Sequence, residues 1–331
     1  MNINLQKSNL SEELEEKLDI IIDLESEIVG KIKFLKKHKL INIDLERLDW
    51  WLENFRSNTI HRLFSLIVLD SLIYRSYEML NKSILRCLIK DIKPIYEEIQ
   101  NVEFTVMDWI EKLKLDKSLK IKFYGVNKDN NIQSSNIILR NLHTIVHNSH
   151  LIVNDTQLTH NIRSKTLIVI LDDIIGSGEQ FSKYFKRLVK AYPEIDENKI
   201  IYVPLMATQK GIDKIKTCAD LINKPIKIFP CEIIDLEKHI LSSDTISKFK
   251  NILDFESNYD FLELFIDMNK DFPFIKSNWL GWDEAKLAFI NEWGCPNQTV
   301  AMVYHDENEI PTSTITGNNS YFYLLKRRGC Q

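Results

Sequence analysis

No proline occurs before Pro94, so the leading segment contains no residue that must break a helix. No stretch of the chain approaches the roughly 20 apolar residues that a membrane-spanning helix needs. Met1 to Ser8 is too polar for the apolar region of a signal peptide. These absences lead to the expectation of a cytoplasmic protein without a membrane partner. The five cysteines (Cys87, Cys218, Cys231, Cys295 and Cys330) are odd in number and scattered, and no C-x-x-C pair occurs. That usage suggests reduced thiols rather than a disulfide frame or a zinc site. Charge of one sign is also missing: 43 Lys and Arg face 47 Asp and Glu, for a net charge of −4. Without a basic field no direct nucleic-acid binding is expected. The short basic run Lys326 to Arg328 reads as a solvated end.

Apolar residues make up 44% of the chain and charged residues 27%, as in ordinary globular proteins. A chain of 331 residues can bury a sizeable core and divide into two parts. Up to about residue 115 the pattern is helical. Leu14, Leu18, Ile21, Ile28, Ile32 and Leu35 form a heptad-like stripe, with Ser11 as candidate N-cap. Packing in a helical bundle is favoured over a coiled coil. Trp50 and Trp51 are adjacent and cannot share one helix face. One is available to a partner, or Trp50 packs internally.

From about residue 117 strands alternate with helices. Leu119 to Val126 reads as a first strand, followed by a polar loop from Asn127 to Asn131 and a helix through Ile145. Ile200 to Leu205 supplies another buried strand, with a turn expected over Ala207 to Gly211. Ile226 to Ile234 adds a further strand, broken by Pro230. Residues 246 to 270 return to helix. Alternation of this kind implies a parallel sheet covered on both faces. The expected fold is α/β: a central parallel sheet flanked by helices, preceded by an all-α part. The division expected is 1–115 helical and 116–331 α/β.

The chemistry concentrates in L-I-V-I-L-D-D-I-I-G-S-G, Leu167 to Gly178. Five consecutive apolar residues suit a central parallel strand. Asp172 and Asp173 fall at its carboxyl end, where open α/β sheets bind ligands. Ile174 to Gly178 reads as a turn, and Phe181, Tyr184, Phe185 and Leu188 recur at helical spacing. Gly176 and Gly178 allow a sharp turn with amides close to a ligand. With the Ser177 hydroxyl and the following helix start they make an anion site. The two carboxylates can accept hydrogen bonds from vicinal hydroxyls or hold hydrated Mg2+. The alternative is a strand ending in a solvated acidic turn. His143, His147 and His150 share a helical face but include no carboxylate, a poor zinc set.

Ile168 to Gln180 resembles the sugar-diphosphate signature of the type I phosphoribosyltransferases. The resemblance implies that Asp172 and Asp173 act as catalytic and Mg2+-holding acids on the ribose hydroxyls. It places Ile175, Gly176, Ser177, Gly178 and Glu179 around the 5′-phosphate. Glu179 and Gln180 depart from the usual small and hydroxyl residues, so the Glu179 side chain is expected to face solvent. Asn127, Lys128 and Ser134 become candidates for a pyrophosphate loop, although no glycine pair is present. His160 and Arg163 fall where that family has a mobile lid, or they are simply surface residues.

A narrower resemblance covers more of the chain. W-L-E-N-F (Trp51 to Phe55), the D-D-I-I-G-S-G loop and C-P-N-Q-T (Cys295 to Thr299) occur in the order seen in the phosphoribosyltransferase-like proteins of prokaryotic conflict systems, PRTase-CE. Val300 to Val303 is then the apolar strand that follows. Asn297 and Thr299 either face an acceptor from a hood or close a hydrogen-bonded turn. The implied role is that of an antiphage defence effector, in some cases beside a retron reverse transcriptase. The implied ligand is phosphoribosyl diphosphate or a nucleotide, acted on at the anomeric carbon by transfer or hydrolysis. Two other classes stay open: a non-catalytic nucleotide or phosphosugar sensor, and an interaction protein working through its N-terminal helices.

Overall fold

The computed structural model describes residues 3–126, 134–162, 166–193, 195, 199–235, 239–255, 258–272, 279–296, 298–305 and 324–326. In chain order come α1 (Ile3–Glu16), α2 (Leu18–Lys37), α3 (Leu45–Glu53), α4 (Thr59–Asp70) and the short strand β1 (Ile73–Arg75). Next are α5 (Tyr77–Cys87), a π-helical turn (Leu88–Ile92), α6 (Lys93–Gln100), α7 (Val106–Leu115), β2 (Ile121–Gly125), α8 (Ser134–Val146) and α9 (Asp155–Ile162). They are followed by β3 (Leu167–Ile175), α10 (Glu179–Ala191), β4 (Ile200–Thr208), α11 (Gln209–Leu221), β5 (Lys227–Ile228) and β6 (Glu232–Ile234). The chain continues with α12 (Ser243–Leu253), α13 (Phe261–Asn269) and β7 (Phe289–Asn291). Contacts gather the chain into two compact units, Met1–Ser76 with Leu236–Gln331, and Tyr77–Asp235. The change from helix to alternating elements near residue 115 is a change of secondary structure; packing divides the chain at Ser76 and Asp235.

The first unit is mainly helical. Leu10, Leu14, Ile21, Leu24, Ile28 and Ile32 bury the inner faces of α1 and α2, against a core shared with α4, α12 and α13. The expected stripe is therefore real, except that Leu18 is exposed, because the helix breaks at Lys17. Ser11 lies inside α1 and caps nothing. Trp51 is fully buried and its indole N–H donates to the Met302 carbonyl at 2.7 Å, whereas Trp50 is 46% exposed. Residues a hundred degrees apart on a helix cannot both face one core. A parallel pair, β1 with β7, interrupts the helical pattern, with Ile73 opposite Phe289. Val300–Val303 is not a strand: Ala301–Val303 forms a 3-10 turn.

The second unit carries the sheet. Its strands run in the order β2–β3–β4–β5, all parallel, and β6 also pairs with β4 beyond Pro230. The unbroken burial of β3 and β4 reflects cover on both faces. On one face Ile168, Ile170 and Tyr202 meet Phe181, Phe185, Ile212 and Ile215 of α10 and α11. On the other, α8 lies on β2 and β3: a Cβ at Gly125 would touch Leu139 and Ser135. Helices α5 and α7 pack on α8, which is why residues 77–115 belong with the sheet. Both central strands run further than expected. β3 continues through the acidic pair to Ile175, and β4 reaches Thr208, so Ala207–Gly211 holds no turn: Thr208 caps α11 directly, its hydroxyl accepting from Gly211 N.

The cysteines correct the expectation of reduced thiols. Cys87, at the end of α5, and Cys231, just before β6, form a disulfide across a Cα–Cα distance of 6.5 Å. Cys218 and Cys295 are free and buried. Among the described residues no helix is long and apolar enough to cross a membrane.

Candidate functional site at the carboxyl end of the central strands

β3 delivers Asp172 and Asp173 to the end of the sheet that open α/β proteins use for ligands. Both are nearly buried, 7% and 3% exposed. Neighbouring residues of a strand project to opposite faces, so the pair is split. Asp172 lies on the α10 side, where Oδ2 accepts from the Tyr202 hydroxyl at 2.8 Å and Oδ1 accepts from Asp173 N at 2.9 Å. β2 ends at Gly125, opposite Leu171, so the Asp172 carboxylate closes an amide beyond the last β2 pair. Asp173 projects to the face on which α8 packs. Burial, and then the charge of Asp172, pushes the Tyr202 hydroxyl well above the usual tyrosine pKa, so it remains a donor. Phe181 stacks on Tyr202 with ring centroids 3.5 Å apart and fixes its position.

The chain then turns through Gly176, Ser177 and Gly178. Gly178 sits at the N-cap of α10 with φ +75°, a conformation open to glycine at little cost. The turn is clamped to the start of α11: the Thr208 hydroxyl donates to Gly176 O at 2.5 Å. A Cβ at Gly178 would strike Gly211 O, and one at Gly211 would strike Gly176 O. Ser177 Oγ accepts from Glu179 N at 3.4 Å. The first-turn amides of α10 have no intrahelical acceptors, and the helix dipole makes this end favourable to an anion. Glu179 is exposed, as its departure from the resembled pattern required, and pairs with Lys183 at 2.6 Å. Ile175 is buried in the strand and offers a ligand only its backbone.

The structure therefore places Asp172, Asp173 and the 175–179 turn at one end of the sheet, with the two carboxylates on opposite faces. Ser134 opens α8, whose next residue, Ser135, donates its hydroxyl to Val126 O at 2.9 Å, just past the end of β2. Asn127, Lys128, Arg163 and Asn297 lie outside the described residues. Thr299 belongs to the first unit, is fully buried and donates its hydroxyl to Phe289 O at 2.6 Å, the turn-closing alternative. His143 and His147 have ring centroids 6.5 Å apart. His160 is exposed on α9. A magnesium ion shared by Asp172 and Asp173 does not fit carboxylates on opposite faces, one of them with both oxygens already engaged. Tyr202, Thr208 and Gly211 escape a reading of the sequence alone. Tyr202 is signalled only as a lone hydroxyl inside I-I-Y-V-P-L, and Thr208 with Gly211 only as a cap spacing.

A parallel sheet with this strand-to-helix glycine turn defines a phosphoribosyltransferase-like α/β protein. The PRTase-CE family profile matches residues 48–327, and the chain belongs to that family. No curated protein matches the chain.

Proposed function

We propose that this protein binds phosphoribosyl diphosphate or a nucleotide through its 5′-phosphate, and that it serves as an effector of an antiphage defence system, in some settings beside a retron reverse transcriptase. The defence setting rests on the conflict-system character of the PRTase-CE proteins. The binding reading rests on one observation above all, the glycine N-cap of α10 clamped by Thr208 and Gly211. Such a turn has little freedom to lose when an anion arrives, and preorganisation of this kind favours affinity.

In the catalytic form of the reading, the bond from the anomeric carbon to the diphosphate oxygen breaks and a bond to the acceptor forms. Pyrophosphate carries away the electron pair, and positive charge develops on the ring. Asp173 is the carboxylate assigned to the ribose hydroxyls and to that charge. Asp172 holds Tyr202 and the strand end in place, and so positions Asp173. The engagement of both Asp172 oxygens favours a second reading, a sensor that binds the same ligand without turnover. Titration calorimetry with phosphoribosyl diphosphate in magnesium buffer tests binding. Binding that Asp173→Asn weakens supports the proposal, and no heat at millimolar ligand overturns it. Pyrophosphate release over time then separates enzyme from sensor.

A further inference from the structure

A cleft of about 470 Å³ opens along the outer edge of the sheet, lined by Lys122, His150, Thr156, Gln157, His160 and Asn161 among others. Its size lies within the range of small-molecule sites, roughly 300–1,000 Å³. One wall is β2. Another is the segment after the 3-10 turn Ser149–Leu151, which runs beside β2 through the bridge of Phe123 with Ile152. The third is α9, which presents the i, i+4 pairs Thr156 with His160 and Gln157 with Asn161. The α9 N-terminus is already closed by Asn154 and Gln157, each accepting from the other's amide, so side chains and not the helix end would receive a ligand. Lys122 pairs with Ile168 in the sheet. Asp172 lies four residues further along β3, roughly 13 Å at a strand's rise. The cleft is therefore distinct from the α10 turn.

Its chemistry has one sign. The Lys122 ammonium donates to the His150 carbonyl at 2.7 Å and forms no ion pair among the described residues. Partial burial holds its pKa below the usual lysine range. Two imidazoles, two hydroxyls (Ser149 and Thr156) and two carboxamides surround it, and among the described residues no Asp or Glu lines the cleft. A partly buried cation with no counter-ion among the described residues carries a cost that a bound anion would offset.

We propose that this cleft is a second ligand site that takes a small phosphorylated molecule of mononucleotide size, its phosphate on Lys122 and His160. AMP is the probe, titrated calorimetrically into the full chain at low salt. The expected result is a binding event that Lys122→Gln and His160→Gln each weaken at least tenfold while Gly178→Ala leaves it intact. Any event at the α10 turn responds the opposite way, so failure of that reading leaves this one testable. Circular dichroism confirms that the variants fold. The proposal is overturned if both cleft variants bind AMP like the parent. It is also overturned if a single-stranded oligonucleotide binds in a Lys122-dependent manner and AMP does not.

Discussion

Tyr202 donates its hydroxyl to Oδ2 of Asp172 across 2.8 Å inside a sheet covered on both faces. A buried carboxylate is tolerated only when it is hydrogen-bonded. Tyr202→Phe removes the donor and leaves the ring in place. The expected cost is about 1–3 kcal/mol, read as a lower urea midpoint with an unchanged slope. A wild-type midpoint would show that Asp172 does not depend on Tyr202.

The same burial sets an alkaline limit. Tyr202 titrates well above its ordinary value near 10, through burial and then the charge of Asp172. Tyr184 is raised too, through burial and then its neighbour Tyr124. The folded state therefore keeps protons that the unfolded state gives up. The stability these groups contribute is fully present below about pH 10 and is lost as pH rises through their folded values. Urea midpoints should fall above pH 10, and less steeply in Tyr202→Phe. Equal slopes in the two proteins would remove Tyr202 from this account.

Three glycines separate tight packing from helix propensity. Gly178→Ala forces a side chain into φ +75° and against Gly211 O, with about 1–2 kcal/mol lost to the left-handed conformation alone. Gly211→Ala drives a methyl group onto Gly176 O. Gly30 lies within α2, and a Cβ there would meet nothing within 4 Å, so Gly30→Ala should stabilise by about 0.5–1 kcal/mol. Thermal unfolding of the three variants checks the order, and a harmless Gly178→Ala would mean that the turn is not clamped.

Much of this was legible in the sequence because periodicity reports burial directly. The apolar run of β3, the Phe181–Leu188 spacing of α10 and, Leu18 apart, the stripe on α1 and α2 fall where the pattern put them. Strand ends were not legible, since Asp172–Ile175 and Ala207–Thr208 pair through their backbones whatever their side chains prefer. The separation of Asp172 from Asp173 follows from that extension: a turn could have brought both acids to one ligand, whereas a strand sends them apart. Cys87 and Cys231, 144 residues apart, gave no sign of pairing because spacing does not reveal proximity across a sheet.

The Cys87–Cys231 bond closes a loop around most of the second unit. Cross-links of this kind contribute about 2–4 kcal/mol, chiefly by restricting the unfolded chain. Protein purified without reductant and alkylated under denaturing conditions should protect these cysteines, and reductant should lower the unfolding midpoint. Alkylation of both without reductant would contradict the bond.

The most direct measurement concerns the turn itself. Backbone amide resonances of Gly176, Gly178, Gln180 and Phe181 can be followed as ribose 5-phosphate is added to the labelled full chain. A phosphate seated at the start of α10 shifts these amides together in a saturable way, and Gly178→Ala abolishes the response. Saturable shifts confined to other parts of the chain, with these four amides unmoved, would contradict it.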